Sequence, residues 1–114
     1  MKRINVSIIL LFLFACAGSK PIITSQADAD RGAQKYPGYT FEDLNKGKAL
    51  FESNCGTCHG LKKPSSRNEV KWAKVLKEMV PKANKRAGKE VIGEVEKELM
   101  LKFLVTMGAN KNKK

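Results

Sequence analysis

The feature that constrains this chain most is the pentapeptide Cys55-Gly56-Thr57-Cys58-His59. In an exported protein, two cysteines separated by two residues and followed by histidine are typical of covalent haem c attachment. The spacing has a physical reason, because thiols about one helical turn apart can both reach the vinyl groups on one haem edge. The imidazole that follows can then bind the iron. We therefore expect one haem c, held by Cys55 and Cys58, with His59 as an iron ligand.

Other interpretations of the pentapeptide fit less well. A dithiol redox motif normally follows a strand in a βαβ setting, which this sequence does not predict. A zinc site would find no fourth Cys or His in the folded region, because the chain has three Cys and one His. A disulfide between Cys55 and Cys58 would leave His59 without a role. The same counts exclude a multi-His metal enzyme and a disulfide-stapled mini-protein.

The N-terminus has the pattern of an export signal. Lys2 and Arg3 precede an apolar run over 4–15 that is too short to span a bilayer. The run ends in Leu13-Phe14-Ala15-Cys16, which resembles the lipobox of bacterial lipoproteins. We expect residues 1–15 to be a lipoprotein signal peptide and acylated Cys16 to anchor the protein on the periplasmic side of a bacterial membrane. The alternative is a plain secretory signal with an incidental Cys16.

The remaining chain divides into three parts. Residues 16–39 have no sustained apolar period, and we expect a flexible tether there. Residues 40–108 are predicted to form the folded domain, and residues 109–114 a basic tail. A domain of about 70 residues has a marginal core of its own, so a haem would add apolar surface that it needs.

Helical periodicity predicts an all-α domain of three to four short helices. A capping box at Thr40-Phe41-Glu42-Asp43 begins the first helix. A second box, Ser66-Arg67-Asn68-Glu69, precedes the next helix, and Pro81 is expected to end it. The last helix is predicted from about Glu90 to Met107, with Gly108 as its stop. Apolar residues recur at helical spacing at Leu44, Leu50, Phe51, Trp72, Val75, Leu76, Met79, Val80, Leu99, Met100, Phe103, Leu104 and Met107.

Residues 40–108 resemble a small monohaem cytochrome c of the class I type, in a bacterial lipoprotein form. The resemblance rests on Gly47 and Phe51 before the haem motif, on Phe103-Leu104 in the last helix, and on Leu61, Pro64, Trp72, Val75 and Met79. It implies a cytochrome c-like bundle wrapped around the haem, in which Gly47 lets the first and last helices approach closely. We expect Leu61 to pack on the porphyrin. Trp72 is expected either to donate its N–H to a haem propionate or to belong to the core.

The second iron ligand is expected to be a methionine, because His59 is the only histidine. In the resembling family this methionine reaches the iron from the side opposite the histidine, on the segment after the third helix. That placement favours Met79, for which core packing is the alternative. Met100 and Met107 are the other candidates.

The charge of the chain indicates the kind of partner. Lys and Arg number 22 against 11 Asp and Glu, a formal charge of +11. Lysines after the haem motif form either a solvated face or a basic ring that attracts an acidic redox partner. These lysines are Lys62, Lys63, Lys71, Lys74, Lys77, Lys82 and Lys85. Nucleic acid is not an expected partner of an exported protein.

The sequence therefore predicts a membrane-anchored carrier of single electrons between redox proteins. It is not expected to be an enzyme, because we find no catalytic dyad and both axial positions of the iron would be filled. One alternative is a haem protein with an open or displaceable sixth position that senses or turns over a small molecule. Another is a cytochrome subunit of a larger oxidoreductase.

Overall fold

The computed structural model describes residues 21–56 and 60–109, and these ranges are all-helical, as predicted. The helices are α1 (Gln26–Lys35), α2 (Phe41–Cys55), α3 (Glu69–Ala87) and α4 (Glu94–Gly108), with a 3-10 turn at Pro64–Ser66. The predicted signal peptide, Cys16, Cys58, His59 and positions 110–114 of the predicted tail lie outside the described residues. None of the described helices has the length and apolar character needed to cross a bilayer.

The core forms where α2 packs against α4. The predicted capping box begins α2: the Thr40 hydroxyl accepts from the Asp43 N–H, and the Asp43 carboxylate accepts from the Thr40 N–H, both at 3.1 Å. Gly47 brings the two helices together, since a Cβ there would lie 2.3 Å from the Leu99 carbonyl oxygen and 2.8 Å from the Phe103 Cβ. The predicted close approach of Gly47 to Phe103 is therefore present. Fully or almost fully buried around it are Leu44, Phe51, Met100, Phe103 and Leu104.

Helix α1 corrects the prediction of a flexible tether over 16–39. It packs on α2 and α4, and the Arg31 guanidinium donates to the Asp28 carboxylate at 3.0 Å and to the Thr106 carbonyl at 2.8 Å. Its buried residues are Asp28, Ala29 and Gly32. An apolar stripe was missing from the sequence because α1 docks through small residues and through the hydrogen bond from Arg31 to Thr106 instead.

Two boundaries of α3 differ from the predictions. Pro81 does not end the helix, which continues to Ala87 and stops at Gly88 in a left-handed conformation (φ 70°). The cap is Asn68, not Ser66: its side-chain oxygen accepts from the Lys71 N–H at 2.9 Å. A proline costs a helix one hydrogen bond and a steric contact, but packing beyond it can offset that loss.

The connection from α3 to α4 explains why α3 continues past Pro81 and why α4 begins later than predicted. The Asn84 side-chain oxygen accepts from the N–H groups of Val91 and Ile92, both at 2.9 Å, and its amide donates to the Ile92 carbonyl at 2.9 Å. These bonds hold the last turns of α3 against the connection and bury Ile92. Val91 and Ile92, which were predicted to lie in the first turn of α4, are therefore held in the connection, and α4 begins at Glu94.

Asn84→Ala is expected to lower the free energy of unfolding by about 2–3 kcal/mol, because it leaves two backbone N–H groups without their acceptor. Urea unfolding followed by circular dichroism measures the change. The control is Gln26→Ala, which removes one exposed amide-to-carboxylate bond to Asp30 and should cost well under 1 kcal/mol. Equal losses in the two variants would contradict a structural role for Asn84.

Candidate functional site

A cavity of about 260 Å³ lies between the end of α2, one face of α3, the α3–α4 connection and the middle of α4. Its lining is mostly apolar, and its floor consists of the buried side chains of Phe51, Trp72, Leu76, Ile92 and Met100. Cys55, the last residue of α2, and Gly60 both line it. Cys55 and Gly60, which stand on either side of positions 57–59 in the sequence, therefore border the same cavity.

The Cys55 thiol is half-buried in the cavity wall and is in no disulfide. Burial raises the pKa of this thiol, and the positive charge of Arg86 opposes that rise more weakly. The thiol is therefore protonated at neutral pH. Redox-active dithiols depend on a lowered thiol pKa, so this environment argues against a dithiol redox site.

Positive charge surrounds the apolar floor. The cavity is lined by four basic side chains and one acidic one: Lys62, Arg67, Lys82 and Arg86, with Glu78. The Arg67 guanidinium lies over the Trp72 ring, 5.0 Å from its centroid, in a cation–π contact. An apolar floor with an excess of cations around it suits a large apolar group that carries anionic substituents.

The methionines that the sequence singled out differ in their surroundings. Met79 lines the cavity and is 40% exposed, so it is not a core residue. Met100 lines the same cavity from α4 but is fully buried. Met107 is buried and does not line the cavity. Cys55 and Met79 are thus brought to one site, with Met100 beneath them.

Trp72 lies in the floor of the cavity, but its N–H already donates a hydrogen bond within the protein. The indole Nε1 donates to the Pro64 carbonyl at 2.8 Å, so the expectation that this N–H donates to a haem propionate is corrected. The ring is 2% exposed and packs edge-on against Phe51, with centroids 6.0 Å apart. Because a buried N–H must find a partner within the protein, the neighbouring turn binds it and Trp72 belongs to the core.

Leu61 is half-buried and packs against the core cluster, not on the cavity wall. The seven lysines noted in the sequence are all exposed, and Lys62 and Lys82 among them line the cavity.

Comparisons with protein-family models, with curated proteins and with solved structures gave no match. Within residues 21–56 and 60–109 there is no group of three or more His, Cys, Asp or Glu side chains that could hold a metal ion.

Sequence reasoning missed the two arginines of the cavity. Arg86 follows Met79 by seven positions and Lys82 by four, so helical spacing alone would have placed it on their face of α3. The prediction that Pro81 ends the helix concealed this. Arg67 carried no comparable signal, since it precedes α3 in an extended conformation.

Proposed function

We propose that this protein is a c-type cytochrome that carries single electrons, with one haem c bound through Cys55 and Cys58 and with His59 on the iron. The cavity is the observation that carries the proposal. It is apolar, it has Cys55 and Gly60 in its wall, and it therefore borders both ends of the only Cys-x-x-Cys-His segment in the chain.

The residues present fit a haem. The apolar floor would exclude water from the ring, and the basic side chains Arg67, Arg86, Lys62 and Lys82 would hold its two carboxylates. When bound, the haem supplies a one-electron Fe(III)/Fe(II) couple. Cations near the site favour the more reduced state of the couple, so the four basic residues would raise its potential. The exposed lysines of α3 would attract an acidic redox partner.

Met79 is the proposed second iron ligand, because it is the exposed methionine of the cavity wall. Met79→Ala is expected to remove the weak far-red absorption band of methionine-bound ferric haem and to lower the reduction potential. The matched control is Met100→Ala, which should keep the band and lose about 2–5 kcal/mol of stability through a core cavity. If Met100→Ala abolishes the band and Met79→Ala does not, Met100 is the ligand.

A small-molecule-binding haem protein is the second candidate, and the position of Pro81 favours it. Pro81 has no N–H to donate to the Lys77 carbonyl, one turn before it, which weakens α3 two residues after Met79. A weakened turn would let Met79 leave the iron more easily. Rapid binding of carbon monoxide to the reduced protein would support this function over electron transfer.

The deciding experiment is to produce the full chain in a bacterium that has haem-attachment machinery, and to record its mass and its visible spectra. The proposal expects one haem that denaturation does not extract, and spectra of a six-coordinate haem that carbon monoxide changes little. A colourless protein with no added mass would refute it.

The anchor is tested by Cys16→Ser. This variant is expected to move from the membrane fraction to the soluble periplasmic fraction while it keeps its haem, because acyl chains supply the membrane affinity. Immunoblots of fractionated cells measure the change, and Ser19→Ala serves as the control that should stay in the membrane. A wild-type protein that is already soluble would contradict the lipoprotein assignment.

A further inference from the structure

A second groove, of about 540 Å³, runs between α3 and α4. Ala73 and Lys77 line it from α3, and the α4 side consists of Glu94, Val95, Lys97, Glu98 and Leu101. Helical spacing places Ala73 and Lys77 on the flank of α3 opposite Val75 and Met79, which face the first cavity. The groove and the cavity thus occupy opposite sides of α3, with Leu76 reaching both.

One unusually exposed valine lines the groove, and another lies beyond its α3 wall. Val95 is 68% exposed in its wall. Val70, one turn before Ala73 on the same flank of α3, is 77% exposed. Valine has a low helix propensity, so nothing in the isolated helices favours it at these positions. Exposed apolar residues along a groove rimmed by charges are typical of a protein interaction surface.

The two walls of the groove carry opposite net charges. Lys77 lies on the α3 wall, while the α4 wall carries Lys97 and two acids, Glu94 and Glu98, which are 87% and 64% exposed. Glu94 and Glu98 pair with Lys97 and Lys102 on their own helix, each at 2.8 Å. Such exposed pairs contribute little, so both carboxylates remain accessible to another cation. A surface with a net positive charge on one wall and a net negative charge on the other is complementary to itself.

We propose that two copies of this protein associate through this groove around a two-fold axis. The axis would place α3 of each copy against α4 of the other, bury Val70 and Val95 in a four-helix arrangement, and set each Lys77 opposite Glu94 and Glu98 of the other copy. The first cavity would face outward from both copies and stay accessible. This interface depends on residues 70–101 alone and stands independently of the haem.

The test is the mass of the full-length protein in mild detergent, measured by light scattering over a concentration series. The wild type is expected to pass from monomer to dimer. Lys77→Glu should weaken the dimer about tenfold, or about 1.4 kcal/mol. Lys71→Glu makes the same charge change on another flank of α3 and should leave the dissociation constant unchanged. Adding Glu94→Lys and Glu98→Lys to Lys77→Glu should restore the dimer.

Three results would overturn the proposal. The first is a wild type that stays monomeric at every concentration. The second is a dimer that neither Lys77→Glu nor Val95→Asp weakens, which would place the interface elsewhere. The third is a monomer whose groove becomes protected from hydrogen exchange only when a redox partner is added, which would assign the groove to that partner. The visible spectrum of each sample reports separately on haem binding.

Discussion

Gly47→Ala is expected to destabilise the folded domain by about 3 kcal/mol or more. The new methyl group would lie 2.3 Å from the Leu99 carbonyl oxygen and 2.8 Å from the Phe103 Cβ, so α2 and α4 would have to move apart. Alanine raises helix propensity by about 1 kcal/mol, which does not offset such a contact with backbone. The free energy of unfolding of a small domain is only about 5–15 kcal/mol, so Gly47→Ala would remove a large share of it.

Denaturant unfolding of the wild type and of Gly47→Ala measures the loss of stability. Gly88→Ala is the matched control: a Cβ there meets nothing within 4 Å, and only the positive φ of 70° opposes it. Its cost should be about 1–2 kcal/mol, the strain of a left-handed alanine. If Gly47→Ala were no more destabilised than Gly88→Ala, the close packing of α2 on α4 would be wrong.

The double variant Cys55→Ala/Cys58→Ala is expected to lose covalent haem completely, because no other thiol can reach the cavity if Cys16 is acylated. Haem staining of a denaturing gel and the mass of the purified chain measure the loss. The cavity above Phe51, Trp72 and Met100 would then lack the group that fills it, so we also expect the variant to unfold at a lower denaturant concentration than the haem-bound protein.

Two controls make this result specific. Cys16→Ser removes the remaining thiol and should keep its haem. Ser53→Ala changes an exposed residue two positions before Cys55 on α2 and should behave as the wild type. Haem that stays attached in the double variant would exclude the proposed linkage, whereas loss of haem in Cys16→Ser would indicate an export defect instead of an attachment defect.

The sequence predicted helix starts and buried helix faces correctly where the interactions join residues only a few positions apart. The capping box at Thr40 placed the start of α2 correctly, because its two hydrogen bonds join residues three positions apart. Of the apolar stripe predicted for α3, Trp72, Leu76 and Val80 are buried for the same reason, whereas Val75 is half-buried and Met79 is exposed. Gly47 was recognised as a close-approach residue through the family resemblance and not through its spacing.

Local signals misled where distant contacts outweigh propensity. α1 has almost no apolar stripe and looked like a tether, yet Arg31 secures it to Thr106, 75 residues away in the chain. Pro81 looked like a helix end, but the bonds from Asn84 to Ile92 keep the last turns of α3 in place. Trp72 looked available to a ligand, and only the folded chain brings the Pro64 carbonyl to its N–H.

The order of residues was enough to predict the helical structure of residues 21–56 and 60–109, the pentapeptide at 55–59 and the candidate methionines, since each depends on neighbours within a few positions. The fold had to be known to learn that Met79 and Met100 share one cavity with Cys55, that Arg67 and Arg86 line it, and that a charged groove lies on the other flank of α3. These juxtapositions join α2, α3 and α4, and their geometry is set by how helices pack, which no short stretch of sequence encodes.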